Sequence, residues 1–128
     1  MGYFEFRAID HHIKACIEWT NAVARLTYLA DQGQDFTAEE ISRAAVAQYV
    51  CGWWQSVMDQ INTGGATPAY AITRSRVRAE RQLIGQEPAC HGELFLQAMA
   101  QARRQAAQRF LAVTQTLADA FPAPERSR

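Results

Sequence analysis

The sequence predicts an all-α fold, a four-helix, antiparallel up-down bundle with a short third helix. Three observations carry that expectation. Apolar residues recur at spacings of three and four along four long stretches, breaks containing Gly or Pro separate those stretches, and no stretch reads as a strand. Short connections between successive helices favour antiparallel neighbours.

The first helix is expected from about Ile9 to Asp31, after an extended or irregular lead holding Tyr3, Phe4 and Phe6. Its polar residues Lys14, Glu18, Asn21 and Arg25 share one face. Ile13, Cys16, Ile17, Trp19, Val23, Leu26 and Ala30 wrap most of the remainder. Gln32-Gly33 ends it, because glycine tolerates the positive φ of a helix terminus. The second helix runs from Thr37 to Asn62. Thr37 with Glu40 forms a capping box, Phe36 can staple against Ile41, and Glu39 and Glu40 suit the positive end of the helix dipole. Val46, Tyr49, Val50, Trp53, Trp54, Val57, Met58 and Ile61 cover roughly 180–200° of its circumference, against about 100° for an ordinary surface helix. Such a helix is the centre of a fold or part of an interface.

Asn62-Thr63-Gly64-Gly65 breaks the chain, and Thr67-Pro68 restarts it as N-cap and first turn of a helix from Pro68 to about Ile84. The fourth helix begins between Pro88 and Glu93 and runs to Phe121, where Pro122 and Pro124 stop it. Its seam is Phe95, Met99, Ala102, Ala106, Phe110, Val113, Leu117 and Ala120, a heptad-like row whose alanines permit close approach. One helical domain, 1–121, is therefore expected, with a polar tail over 122–128.

Composition bounds the function. The chain has 128 residues, 48% hydrophobic and 20% charged, with 13 basic residues balancing 13 acidic ones. A protein that binds nucleic acid mainly by neutralising phosphates usually carries net positive charge, so the whole-chain balance argues against that role. No apolar run approaches the roughly 20 residues of a membrane span, and the N-terminus lacks a signal-peptide layout, so a cytoplasmic location is expected. Lys14 is the one lysine against twelve arginines, a bias that fits a GC-rich bacterial or phage coding background.

Four constellations invite a chemical reading. Arg74, Arg78 and Arg81 stand at i, i+4 and i+7 on the third helix, flanked by Tyr70 and Ser75. Their guanidinium groups suit phosphates or the acidic side chains of a partner. Arg103, Arg104 or Arg109 of the fourth helix can join them, and Arg76 points elsewhere, within reach of Glu80. His12 and Cys16 lie one turn apart, and Cys90-His91 opens the fourth helix. The two pairs are expected at opposite ends of the bundle, so no metal site is assigned. Arg7 and His12 have a spacing that resembles the Arg-x4–6-His motif of HEPN ribonucleases, which are also helical bundles. The resemblance covers these two residues, precedes or opens the first helix rather than a later one, and assigns no activity. Ser42, Ser56, Ser75 and the three cysteines, Cys16, Cys51 and Cys90, sit without a glycine-rich elbow, and no CxxC pair occurs.

Adjacent tryptophans point about 100° apart on a helix. Trp53 is therefore expected in the core with Val46, Val50 and Val57, and Trp54, with Met58 and Cys51, at an interface. The functional expectation is a non-enzymatic protein-interaction module without a cofactor, a homodimer or a subunit of a larger assembly, off the membrane. The alternative is a subunit of a nucleoprotein complex that contacts RNA or DNA backbone through Arg74, Arg78 and Arg81.

Overall fold

A computed structural model describes residues 2–85 and 94–120. Four helices make up the fold: α1 (Tyr3–Asp31), α2 (Ala38–Asn62), α3 (Pro68–Gly85) and α4 (Leu94–Ala120), with no strand among the described residues. The cross-helix pairs fix their directions. Cys16 meets Cys51 and Arg25 meets Glu40, so α1 and α2 are antiparallel. Arg76 meets Gln115 and Arg104 meets Leu83, so α3 and α4 are antiparallel, whereas Tyr49–Arg103 and Trp54–Phe110 set α2 parallel to α4. This is the up-down-up-down order, and α3 is the shortest rod at 18 residues.

The helix boundaries follow from local chemistry. The Thr37 hydroxyl accepts from the Glu40 amide at 3.1 Å, and the Glu40 carboxylate accepts from the Thr37 amide at 3.1 Å, closing the capping box. The Tyr70 amide donates to the Thr67 hydroxyl at 3.2 Å, capping α3. Gly33 and Gly65 take positive φ of 70° and 72° at the two connections. Phe36 and Ile41 both stay exposed. The first helix departs from expectation by starting at Tyr3. The Phe6 amide bonds back to the Gly2 carbonyl at 3.0 Å, and Asp10 is bracketed by Arg7 and Lys14 along the same helix. Phe4 packs against the core and Ala8 is inside it, so the lead is the first turn of α1.

The core sits around α2, which packs against all three other helices. Trp54 is 2% exposed. The His11 ring stacks on it at 4.9 Å, and the Phe110 ring meets it edge-on at 5.1 Å. Trp53 stacks on Phe110 at 5.3 Å and remains half-buried. Trp54 thus takes the central place expected of Trp53, which packs against the edge of the same core. The expectation that Trp54, Met58 and Cys51 face a partner is corrected, since all three are buried within one copy of the chain. The wide apolar arc of α2 is explained by its central position.

α4 follows its expected row through Ala102, Ala106, Phe110 and Leu117, then turns Thr114 inward where Val113 was expected; Val113 is 41% exposed. The buried Thr114 hydroxyl donates to the Phe110 carbonyl at 2.7 Å and accepts from Arg76. Arg76 also donates to the Leu111 carbonyl at 2.7 Å and to Gln115 Oε1 at 2.8 Å, so it clasps α4 rather than pairing along its own helix with Glu80. The side chains of Phe95 and Ala120, the start of the last helix before Leu94, the Cys90-His91 pair, the stop at Phe121 and the tail 122–128 lie outside the described residues. No helix among the described residues is long and apolar enough to cross a membrane.

Candidate functional sites

α1 carries two apolar rows on opposite sides. The inner row contains Phe4, Ala8, Ala15, Trp19, Ala22, Leu26 and Leu29, turned toward α2 and the core. At 100° per residue the outer row lies about 180° away. It runs through Tyr3, Phe6, Ile13, Ile17 and Tyr28, each between 51% and 58% exposed, with Thr20 and Ala24 between the last two. Single exposed apolar residues need no explanation, but a contiguous row along a whole helix does. Asp10 interrupts the row, and its carboxyl is held below the ordinary carboxylate range, first by its hydrogen bond to Lys14.

Beside the upper part of α1 opens a polar cleft of about 510 Å³ lined by Glu18, Asn21, Ala22, Arg25, Glu40, Arg43, Ala47 and Arg109. Its charges are satisfied internally. Arg109 donates to Glu18 at 3.0 Å, Arg25 to Glu40 at 3.2 Å, and Arg43 to Glu39 at 3.2 Å. The Thr37 backbone amide, together with Arg25 and the Thr37 hydroxyl, lowers the Glu40 pKa. Glu39 and Glu40 are therefore engaged with arginines of their own chain.

The Arg74, Arg78 and Arg81 side chains are all exposed on α3, as their spacing implied. Arg78 lines a groove of about 450 Å³ together with Tyr49, Gly52, Trp53, Ser56, Gln82 and Arg103; Arg74 and Arg81 are not among its lining residues. The Arg103 guanidinium lies over the Tyr49 ring at 5.7 Å and donates to its hydroxyl at 3.3 Å. Of the three candidate α4 arginines, Arg103 alone lines the groove; Arg104 binds the Leu83 carbonyl and Arg109 binds Glu18. Tyr49, from the apolar arc of α2, and Trp53, expected in the core, are the aromatic part of this groove. Ser75, read as flanking the stripe, is buried and hydrogen-bonded to Gln60 at 3.1 Å.

A third site was half visible in the sequence. Antiparallel packing brings Cys51 of α2 to the His12–Cys16 pair of α1, and one ligand atom from each lies within 4.8 Å of the other two. The sulfurs of Cys16 and Cys51 are 3.0 Å apart, and both thiols are free. Burial, with the adjacent Cys16 thiol, pushes the Cys51 thiol up to about 11. His12 Nε2 meets Gln55 Oε1 at 3.0 Å, and Gln55 Nε2 donates to Asp59 Oδ1 at 2.9 Å. Cys51 is thus the described residue that the fold adds to the His12–Cys16 pair, while Cys90 and His91 lie outside the described residues. Arg7, by contrast, faces Asp10 at 3.8 Å while His12 faces Gln55, so the structure does not join the two residues that resemble the HEPN motif. Compared with known proteins, the chain matches no family model, no curated protein and no solved structure.

Proposed function

We propose that the protein acts by association, as a non-enzymatic helical module that pairs with a second copy of itself through the outer face of α1. The observation that carries this reading is the row Tyr3, Phe6, Ile13, Ile17 and Tyr28, each more than half exposed among the described residues. A row of this kind is self-complementary, because two copies related by a two-fold axis lay the same residues against each other. From Tyr3 to Tyr28 it extends about 37 Å at 1.5 Å per residue. Helix-on-helix contact over that length approaches the roughly 800 Å² per partner of a stable interface. Light scattering tests the proposal. Wild type is expected to have the mass of two chains, and Ile17→Glu the mass of one with its helical circular dichroism unchanged. A monomeric wild type, or a dimer that survives Ile13→Glu and Ile17→Glu together, overturns it.

The groove at Arg78 supports a second reading, a subunit that holds single-stranded nucleic acid. Two guanidinium groups beside Tyr49 and Trp53 offer the phosphate-plus-stacking chemistry of such sites. Binding to single-stranded oligonucleotides, followed by Trp fluorescence, is expected to weaken linearly in log salt. It should also fall in Arg78→Glu and Arg103→Glu. No binding at low salt removes this reading without touching the first.

A further inference from the structure

We propose that His12, Cys16 and Cys51 form a binding site for a thiophilic divalent metal ion, Zn²⁺ foremost, that joins α1 to α2. Two thiolates and an imidazole are a soft donor set suited to zinc, and three protein ligands leave a fourth tetrahedral position for water. The three donors come from two helices packed in register rather than from one flexible loop, so the fold sets their spacing before any ion arrives.

The surroundings of His12 give independent support. Asp59 Oδ1 can only accept, so it takes the Gln55 amide nitrogen and turns Gln55 Oε1 toward the imidazole. In the tautomer that donates through Nε2 to Gln55, the Nδ1 lone pair is the one left for a metal. A chain from carboxylate through amide to imidazole fixes the tautomer, as outer partners of ligating histidines do. A simple thiol pair would have no use for it.

The sulfur geometry is compatible with loading. Two Zn–S bonds of about 2.3 Å at a tetrahedral angle place the sulfurs roughly 3.8 Å apart. The 3.0 Å separation therefore widens by under an ångström, within reach of a small side-chain rotation. Thiolate ligation displaces the thiol protons, so affinity is expected to rise with pH. Cys51 is closed off inside the core while His12 and Cys16 are half-buried, which leaves access from the α1 side.

Cobalt titration provides the test. Fully reduced protein carrying Cys90→Ser, which removes the third thiol from consideration, is titrated with Co²⁺ and then with Zn²⁺. One equivalent of Co²⁺ is expected to give thiolate-to-cobalt charge-transfer absorption and tetrahedral visible bands, both bleached by Zn²⁺. Cys16→Ser and Cys51→Ser should abolish the bands while circular dichroism stays helical. His12→Ala should weaken binding strongly, and Gln55→Ala, a positioning change, by about 10–100-fold. Bound zinc should protect both thiols from alkylation. Absence of stoichiometric cobalt bands in the reduced protein overturns the proposal. So does a Cys16–Cys51 disulfide that forms as readily with saturating zinc as without it. Because the readout is spectral, it stands or falls separately from the dimer measured by mass.

Discussion

Trp54 lies between the imidazole of His11 and the ring of Phe110, and each contact bears on a measurable property. Truncation to Ala empties a sealed space, so Trp54→Ala is expected to lower unfolding free energy by about 3–5 kcal/mol in urea titrations while leaving the oligomeric mass unchanged. His11 supplies a pH dependence. Burial, reinforced by the positive charge of Arg7, lowers its pKa below the ordinary 6.5, and Asp10 offsets this only in part. Below that ordinary value the unfolded chain binds a proton that the folded chain resists. Stability therefore falls as pH drops through the interval between the unfolded and the lowered folded pKa. The urea midpoint should decrease from about pH 7.5 to about pH 5.5 in wild type and change less in His11→Gln. Asp10 and Glu40, both lowered, add losses of the same sign at more acid pH.

The elements were legible in proportion to how local their causes are. The starts of α2 and α3 rest on side chains within three residues of each amide they cap, and both could be read directly. Thr37→Ala removes one such cap and is expected to lower the urea-derived unfolding free energy by about 1 kcal/mol. The start of α1 was hidden because its first turn is held by Phe4 and Ala8 reaching the core, which is tertiary information. The central role of α2 had a sequence signature, its wide apolar arc, but the arc alone does not say whether chain or partner covers it. The choice between Trp53 and Trp54 depended on which neighbour lay on each side, and Thr114 turned inward because Arg76 of another helix satisfies its hydroxyl. Cys51 was the most recoverable omission. It sits about as far beyond the first turn as Cys16 sits before it, so antiparallel pairing of the first two helices already placed them at one height.

For the whole molecule, the apolar surplus expected of two helices resolves into one. The bundle consumes the surplus of α2, while α1 keeps its outer row. Association through that row is expected to depend little on ionic strength, since few exposed charges lie in it. Sedimentation at about 0.1 M and 0.5 M salt should give nearly the same dimer fraction, in contrast to the steep salt response of phosphate contacts. A dimer that dissociates sharply with added salt would instead place the interface on the charged surfaces.

The inner positions Ala8, Ala15, Ala22 and Leu29 recur every seven residues, and so do Phe6, Ile13 and Thr20 on the outer side. A seven-residue repeat drifts by about 20° per repeat around a straight helix of 3.6 residues per turn. Both rows therefore drift around α1 in the left-handed sense of a coiled-coil seam, and in the proposed pair α1 would turn one row to its own bundle and the other to the second copy. The second copy should cross α1 at a shallow angle near 20°, the hand and pitch of a coiled coil, rather than at the roughly 50° of globin-like packing. Two such molecules would lie side by side as a pair of long bundles, not stacked crosswise.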